Sequence, residues 1–248
     1  MNKALINKYC RKFGFEVHGS GYIQAISKQS FKEDAFAKQK ELVKRKSPMI
    51  FDIGANRGDV VAQYLELFPL ATIHAFEPFP SSFKFLKDRY ADNKSVHCHQ
   101  FAIADSKKTM TFYVNENVDT NSLLKPRRTG LSSDKQVENK ATIPVPCTSL
   151  DQFCTEHQIS SIDILKMDIQ GGEFLALKGA ANLLENARIS CIYSEAFFLE
   201  QYESQPLFHD ISKLLHGYKF YLQDMYSPIY GKGNLAWCDV IFTLGRSS

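Results

Sequence analysis

Residues 49–60 read MIFDIGANRGDV. An apolar run, Met49-Ile50-Phe51, meets an acid and turns through Gly54 and Gly58. A helical pattern then runs over residues 60–68 and stops at Pro69. A strand that feeds a helix through a short glycine turn calls for a parallel neighbour, and parallel sheets carry helices on both faces. The following segments repeat the unit: strand at 71–76, helix at 81–90, strand at 95–103. Right-handed crossovers then give a doubly covered α/β sheet.

The middle of the chain breaks this rhythm. Met110, Phe112 and Val114 alternate with Thr111, Tyr113 and Asn115, a strand period of two. Residues 117–140 are polar, contain Pro126 and Gly130, and read as a mobile loop or lid. Residues 141–145 return as a strand, so a β-hairpin is inserted in the sheet. The α/β pattern resumes with strand 162–169, helix 173–186, strand 189–195, helix 208–216, and strands 218–222 and 236–244. That is about seven sheet strands in one domain, 48–248. An N-terminal helical appendage, 1–47, precedes it, with a helix at 31–46 ended by Ser47-Pro48.

Composition removes several function classes. A net charge of +3 is too mild to imply nucleic acid. The basic clusters, Lys38, Lys40, Lys44, Arg45 and Lys46, then Lys125, Arg127 and Arg128, read as a solvated helix face and a solvated loop. No apolar run approaches the roughly 18–20 residues of a membrane span. The N-terminal apolar stretch is interrupted by Lys8, Arg11 and Lys12 and does not resemble a secretory leader, so the cytoplasm is expected. The six cysteines are scattered without a C-x-x-C pair and read as free thiols.

In an open parallel sheet, ligands bind beyond the carboxyl ends of the strands, where Asp52, Gly54, Asn56 and Gly58 fall. A pyrophosphate loop usually writes G-x-G-x-x-G. This loop lacks the middle glycine and has acids at both ends, Asp52 and Asp59, which repel phosphate and suit an ammonium or sulfonium. Glu77 ends the second strand about twenty residues later, where a carboxylate takes two ribose hydroxyls. A ribose with a cationic, phosphate-free neighbour describes S-adenosylmethionine.

Together IFDIGANRGD, IHAFEPFPSSF, FAIAD, NSLL and DILKMDIQGGEFLALKGA resemble the FkbM family of S-adenosylmethionine-dependent methyltransferases, from about residue 40 to the C-terminus. The resemblance implies a Rossmann-like class I methyltransferase fold, a seven-stranded sheet with its last strand antiparallel. It also implies methyl transfer to a hydroxyl of a sugar, glycan or natural product. Carried over, Asp52, Gly54, Asn56 and Gly58, with Ala55 and Asp59 of the same loop, would surround the amino-acid end of the cofactor. Glu77 would hold the ribose, Pro78 and Phe79 would pack near the adenosine, and Ala102 and Ile103 would flank the adenine.

ILKMDIQGGE repeats the strand–acid–glycine logic at the fourth strand. Asp168 is expected to face the reacting methyl as base or acceptor-positioning group, with Glu195 sharing that role. Glu173 is either a third catalytic acid or a helix-start residue favoured by the helix dipole. Family members often have Glu where this chain has Gln170, and Ala where it has Gly172. The missing carboxylate weakens any mechanism that needs an acid pair or a metal there.

Other constellations carry less. His97 and His99 of VHCHQ face one side of a strand, but no further ligands are spaced to complete a metal site. No G-x-S-x-G elbow supports a serine nucleophile. Tyr193, Tyr202 and Trp237 are packing residues or walls of an acceptor pocket. A dinucleotide oxidoreductase fits Glu77 but not the glycine spacing. An inactive methyltransferase-fold binding protein, or an adhesion module using Arg57-Gly58-Asp59, is the non-catalytic alternative.

Overall fold

A computed structural model of the chain describes residues 34–127 and 137–245. The expected appendage lies outside these residues up to position 33, as do positions 128–136 of the expected loop. The first described helix is α1 (Ala35–Leu42). The alternating segments follow as β1 (Met49–Ile53), α2 (Asp59–Leu67), β2 (Thr72–Phe76), α3 (Pro80–Arg89) and β3 (Val96–His99). The second half supplies β7 (Ile162–Met167), β8 (Ile189–Phe197), α7 (Phe208–Gly217), β9 (Phe220–Gly231) and β10 (Asn234–Leu244).

Seven of these strands form one sheet in the order β3-β2-β1-β7-β8-β10-β9. All neighbours from β3 to β8 are parallel. The last strand, β10, lies antiparallel between β8 and β9, as expected. The chain first winds outward from β1 to β3, then restarts beside β1 at β7. The switch point of the sheet is therefore the β1–β7 boundary, where Ile53 pairs with Met167. Ligands in such sheets bind at that crevice.

Central β7 is buried along all six residues, as a strand covered on both faces requires. Phe51, Phe76, Leu165, Ile192 and Phe242 build the core on one face. Ile50, Ile73, Ile164, Cys191 and Ile241 build it on the other, under α1 and α2. Among the described residues no helix is long and apolar enough to cross a membrane.

Five elements depart from the expected pattern. The strand at 95–103 is broken at Gln100-Phe101, and its second part, β4 (Ala102–Ile103), leaves the main sheet. There it joins the inserted hairpin, β5 (Lys108–Asn115) and β6 (Asn139–Thr148), in a three-stranded sheet. The start of the expected loop is built structure: a 3-10 turn at Val118–Thr120 and a Tyr113–Ser122 bridge. A short helix, α4 (Leu150–Glu156), was not anticipated, although Ser149 caps it by accepting from Gln152 N. The helix at 173–186 divides into α5 (Glu173–Lys178) and α6 (Ala181–Glu185). A Cβ on Gly179, between them, would come within 2.1 Å of Ala104 O. The backbone there packs against the inserted sheet and the helix bends around the contact. Finally, β9 is much longer than 218–222, because pairing with β10 continues to Gly231.

Candidate functional site

Loop 54–58 is set by backbone geometry. Gly54 and Gly58 have φ of 77° and 82°, and Asn56 joins them at 46°. Gly54 N and Ala55 N both donate to Phe76 O at 3.0 Å, which ties the loop to the end of β2. A Cβ on Gly54 would stand 2.0 Å from Asp168 O. Gly54 therefore lets the ends of β1 and β7 approach each other at the switch point.

Gly58 has a different task. A Cβ there would meet Tyr90 Cε2 at 2.5 Å, and Tyr90 OH donates to Gly58 O at 2.6 Å. It lets the loop pack closely against α3 and Tyr90. Ala55 is likewise buried in the core under α2. Asp59 starts α2 on the outer surface and pairs with Arg89 at 2.5 Å, while Arg57 lies 5.2 Å over the Phe85 ring. The Arg57-Gly58-Asp59 tripeptide is thus anchored to α3, and Asp59 is engaged away from the crevice.

Asp52 is fully buried. Its Oδ1 lies 2.8 Å from Lys166 Nζ, which also donates to Gly54 O at 3.0 Å. Burial raises the Asp52 carboxyl above its usual range, and Lys166 opposes that shift. Its role is to hold a cation that fixes the glycine turn. Lys166 was missed in the sequence reading, although a lysine inside the buried strand ILKM signals a paired acid on the adjoining strand.

Glu77 is 7% exposed and closes β2 as expected. Oε2 accepts from Asn56 N at 2.9 Å and Oε1 from Phe79 N at 2.7 Å. Each oxygen keeps a lone pair, so the carboxylate is aimed and still able to accept two hydroxyls. Burial raises its pKa to about 7 against the pull of these two backbone donors. Asn56 Oδ1 is buried without a hydrogen-bond partner among the described residues, while Nδ2 donates to Asp119 at 2.7 Å.

An apolar cleft runs from Gly54 and Asp168 past Pro78 to Phe101, Ala102 and Ile103. Phe112, Asn121 and Leu123 of the inserted segment form its outer wall. Gly54, Pro78, Ala102, Ile103 and Asp168, all expected at the site, are therefore brought together. Phe79 contributes through its backbone and packs against the cluster of Ala102, Phe112 and Leu123. Phe101, Phe112 and Leu123 were missed, because an inserted sheet has no sequence signal for what it covers.

On the far side of Asp168 lies an acidic row. One step beyond the Met167–Ser194 pair come Asp168 and Glu195, and Glu195 pairs with Asp239 of β10. Asp168 is exposed and Glu195 half-buried. Burial first, then the charges of Asp168, Glu173 and Asp239, push the Glu195 carboxyl well up. Gln170 Nε2 donates to Asp168 Oδ1 at 3.1 Å and to Glu195 Oε2 at 2.8 Å. Tyr202 is fully buried with its hydroxyl 2.9 Å from Gln170 Oε1, and Tyr193 OH donates to Asp239 at 2.9 Å. Trp237 packs on Phe197.

Glu173 does not belong to this row as a reacting group. It is 1% exposed, and its Oε1 accepts from Ile169 N at 2.9 Å, closing the turn before α5. Of the two roles expected for it, this geometry fits the helix-start one.

A separate cavity of about 610 Å³ opens at the amino ends of β1 and β2, lined by Arg45, His74, His97, His99 and His157. Among the described residues no three His, Cys, Asp or Glu side chains are placed to hold a metal ion.

Comparison with known proteins agrees with this geometry. The 2-O-methyltransferase NoeI of Sinorhizobium fredii is 28% identical over 188 residues, covering 73% of this chain and 76% of that protein. The methyltransferase sdnD of Sordaria araneosa is 27% identical over 156 residues, covering 54% of this chain and 60% of its own length. The crystal structure of methyltransferase FkbM from Methylobacillus flagellatus superposes with a TM-score of 0.53 at 15% identity. That match covers 80% of this chain but only 44% of the solved one, so the chain spans less than half of that structure. The fold is the expected class I methyltransferase arrangement, and residues 52–221 match the Methyltransferase FkbM domain. The chain belongs to the FkbM methyltransferase family.

Proposed function

We propose that this protein transfers a methyl group from S-adenosylmethionine to a hydroxyl of a sugar or similar polyhydroxylated acceptor. The observation that carries the reading is the junction of Gly54 and Asp168 at the sheet's switch point. It places an apolar cleft with an aimed carboxylate, Glu77, on one side, and the acids Asp168 and Glu195 on the other.

The residues suit the cofactor. Glu77 offers two remaining lone pairs to a ribose, and Asn56 Oδ1 is a buried acceptor suited to an ammonium donor. Ala102, Ile103, Phe101 and Leu123 offer apolar walls to a base. Pyrophosphate is a poor fit, since the loop lacks the middle glycine of a pyrophosphate-binding turn. When bound, S-adenosylmethionine supplies an electrophilic methyl whose leaving group is a neutral thioether. The chain's own work is to orient the acceptor, exclude water and take its proton. Asp168 is the exposed carboxylate at the strand end and fills the proton-accepting role, with Glu195 beside it. The similarity to NoeI, a 2-O-methyltransferase, supports an oxygen acceptor.

The test is calorimetry with S-adenosylmethionine, S-adenosylhomocysteine and NAD, followed by transfer of radiolabelled methyl to a panel of methyl glycosides. Binding of the two sulfur compounds and labelling of a glycoside are expected. Binding of NAD alone would overturn the reading.

A further inference from the structure

Gln170 stands where members of the family often have Glu, and its side chain meets Asp168, Glu195 and Tyr202. We propose that Gln170 is a positioning residue whose amide holds Asp168 and Glu195 together as one carboxylate pair that receives the acceptor hydroxyl. The proposal rests on the assignment of this side of the cleft to the acceptor.

Both hydrogens of Nε2 are used, one on Asp168 Oδ1 and one on Glu195 Oε2, which leaves a second oxygen on each carboxylate for the acceptor. Tyr202 OH meets the amide on its acceptor side and lies 2.9 Å from Thr120 O as well. A flipped amide would set its carbonyl against two carboxylates. The backbone is equally constrained. Gln170 has φ of 56°, a left-handed conformation that non-glycine residues adopt at a cost, and Ser122 Oγ donates to its carbonyl at 2.7 Å.

The chemistry explains why an amide fits. Two close carboxylates repel, which favours protonation of one of them and weakens the base. A lysine or arginine would remove that repulsion but would also repel a sulfonium. A glutamate would add a third negative charge. A neutral donor shared by both acids stabilises the ionised pair without either penalty. The hydroxyl proton then passes to the pair as the acceptor oxygen bonds to the methyl carbon and the carbon–sulfur bond breaks.

The test is a carbon-13 carboxyl NMR titration of the S-adenosylhomocysteine complex in the unmodified protein, Q170A, Q170E and Y202F. The Glu195 carboxyl is expected to titrate higher in Q170A than in the unmodified protein, and higher still in Q170E. Y202F should shift it less, in the same direction. In parallel, kcat for methyl glycosides should fall at least about tenfold in Q170A, with the acidic limb of the pH–rate profile moving upward. Affinity for S-adenosylhomocysteine should stay within about twofold, as expected for a group outside the cofactor cleft. An unchanged carboxyl titration in folded Q170A and Y202F overturns the proposal. A titration shift without transfer to any glycoside overturns the sugar reading and leaves Gln170 as organiser of the pair.

Discussion

Lys166 and Asp52 form a fully buried ion pair across the β1–β7 boundary, 2.8 Å between Nζ and Oδ1, with Gly54 O as the lysine's second partner. Moving each ion out of water costs several kcal/mol, so the pair holds only because both members are present. Lys166→Met leaves Asp52, whose Oδ2 has no hydrogen-bond partner among the described residues, without its counter-ion and should destabilise the protein by about 3–5 kcal/mol. D52N/K166M removes both charges and should recover much of that loss. Urea unfolding of the single and double variants measures the difference. Equal losses in both would show that the pair has no coupling.

The same boundary sets the tolerance of two glycines. In Gly54→Ala the new Cβ needs the space of Asp168 O, and φ is 77°. Either the strand ends separate or the turn rearranges, so affinity for S-adenosylhomocysteine should fall at least about a hundredfold. Gly172→Ala is the control. Its φ is −80°, and its Cβ would lie 3.2 Å from the flexible Ile169 Cδ1. Its stability and affinity should stay close to those of the unmodified protein.

Glu77 gives a pH signature to cofactor binding. Burial holds its free-state pKa at about 7, so near neutrality the carboxyl is partly protonated. Ribose hydroxyls hydrogen-bond more strongly to the ionised form. Binding should therefore release protons near pH 7 and tighten as pH rises from about 6 to 8. Calorimetry in buffers of different ionisation enthalpy reads the proton count directly. Glu77→Gln should abolish the release and weaken binding.

Asp168 is tested by Asp168→Asn, which preserves shape and removes the proton acceptor. Turnover should fall by about 10²–10⁴, with cofactor affinity maintained. Unchanged turnover in a methyl-transfer assay would remove Asp168 from the chemistry.

Sequence reasoning reached the backbone of this site but not its side-chain wiring. The strand–glycine–helix repeats located Gly54, Glu77 and Asp168 because those positions follow from topology: each lies at or just beyond a parallel strand end. The acids were harder to separate. Asp52, Glu77, Asp168 and Glu173 all sit near strand ends, yet one is ion-paired, one aimed, one exposed and one spent on a turn. Those fates depend on partners brought from distant segments, such as Lys166 for Asp52 and Asn56 N for Glu77. The Gln170 amide likewise acquires meaning only through Glu195 and Tyr202, 25 and 32 residues away. The outer wall of the cleft was illegible for the same reason, since period-two alternation in β5 says which residues share a face and not what that face covers.

The histidine cluster couples folding stability to pH. His74 Nδ1 and His99 Nε2 lie 3.0 Å apart with nearly coplanar rings, and His97 stacks on His74 at 4.8 Å. One neutral ring donates to the other, so charging both would place two cations in contact. Burial first, then the neighbouring imidazoles, lower His74 to about 3 and His99 to about 4. Arg45, paired with Asp163, also lines this cavity. Both folded-state values lie below the unfolded value of about 6.5. The neutral pair therefore contributes stability that is complete above about pH 6.5 and lost as pH falls toward 4 and 3. Each proton bound only by the unfolded chain gives a slope of about 1.4 kcal/mol per pH unit. Glu77 and Glu173, both raised to about 7, act in the opposite direction between about pH 4.5 and 7, because ionising them costs more in the folded protein. Comparing the unmodified protein with His74→Phe cancels that opposing contribution, since both glutamates remain. The melting temperature of His74→Phe should fall less steeply between pH 6.5 and 4. Parallel curves for the two proteins would show that the imidazole pair does not govern acid stability.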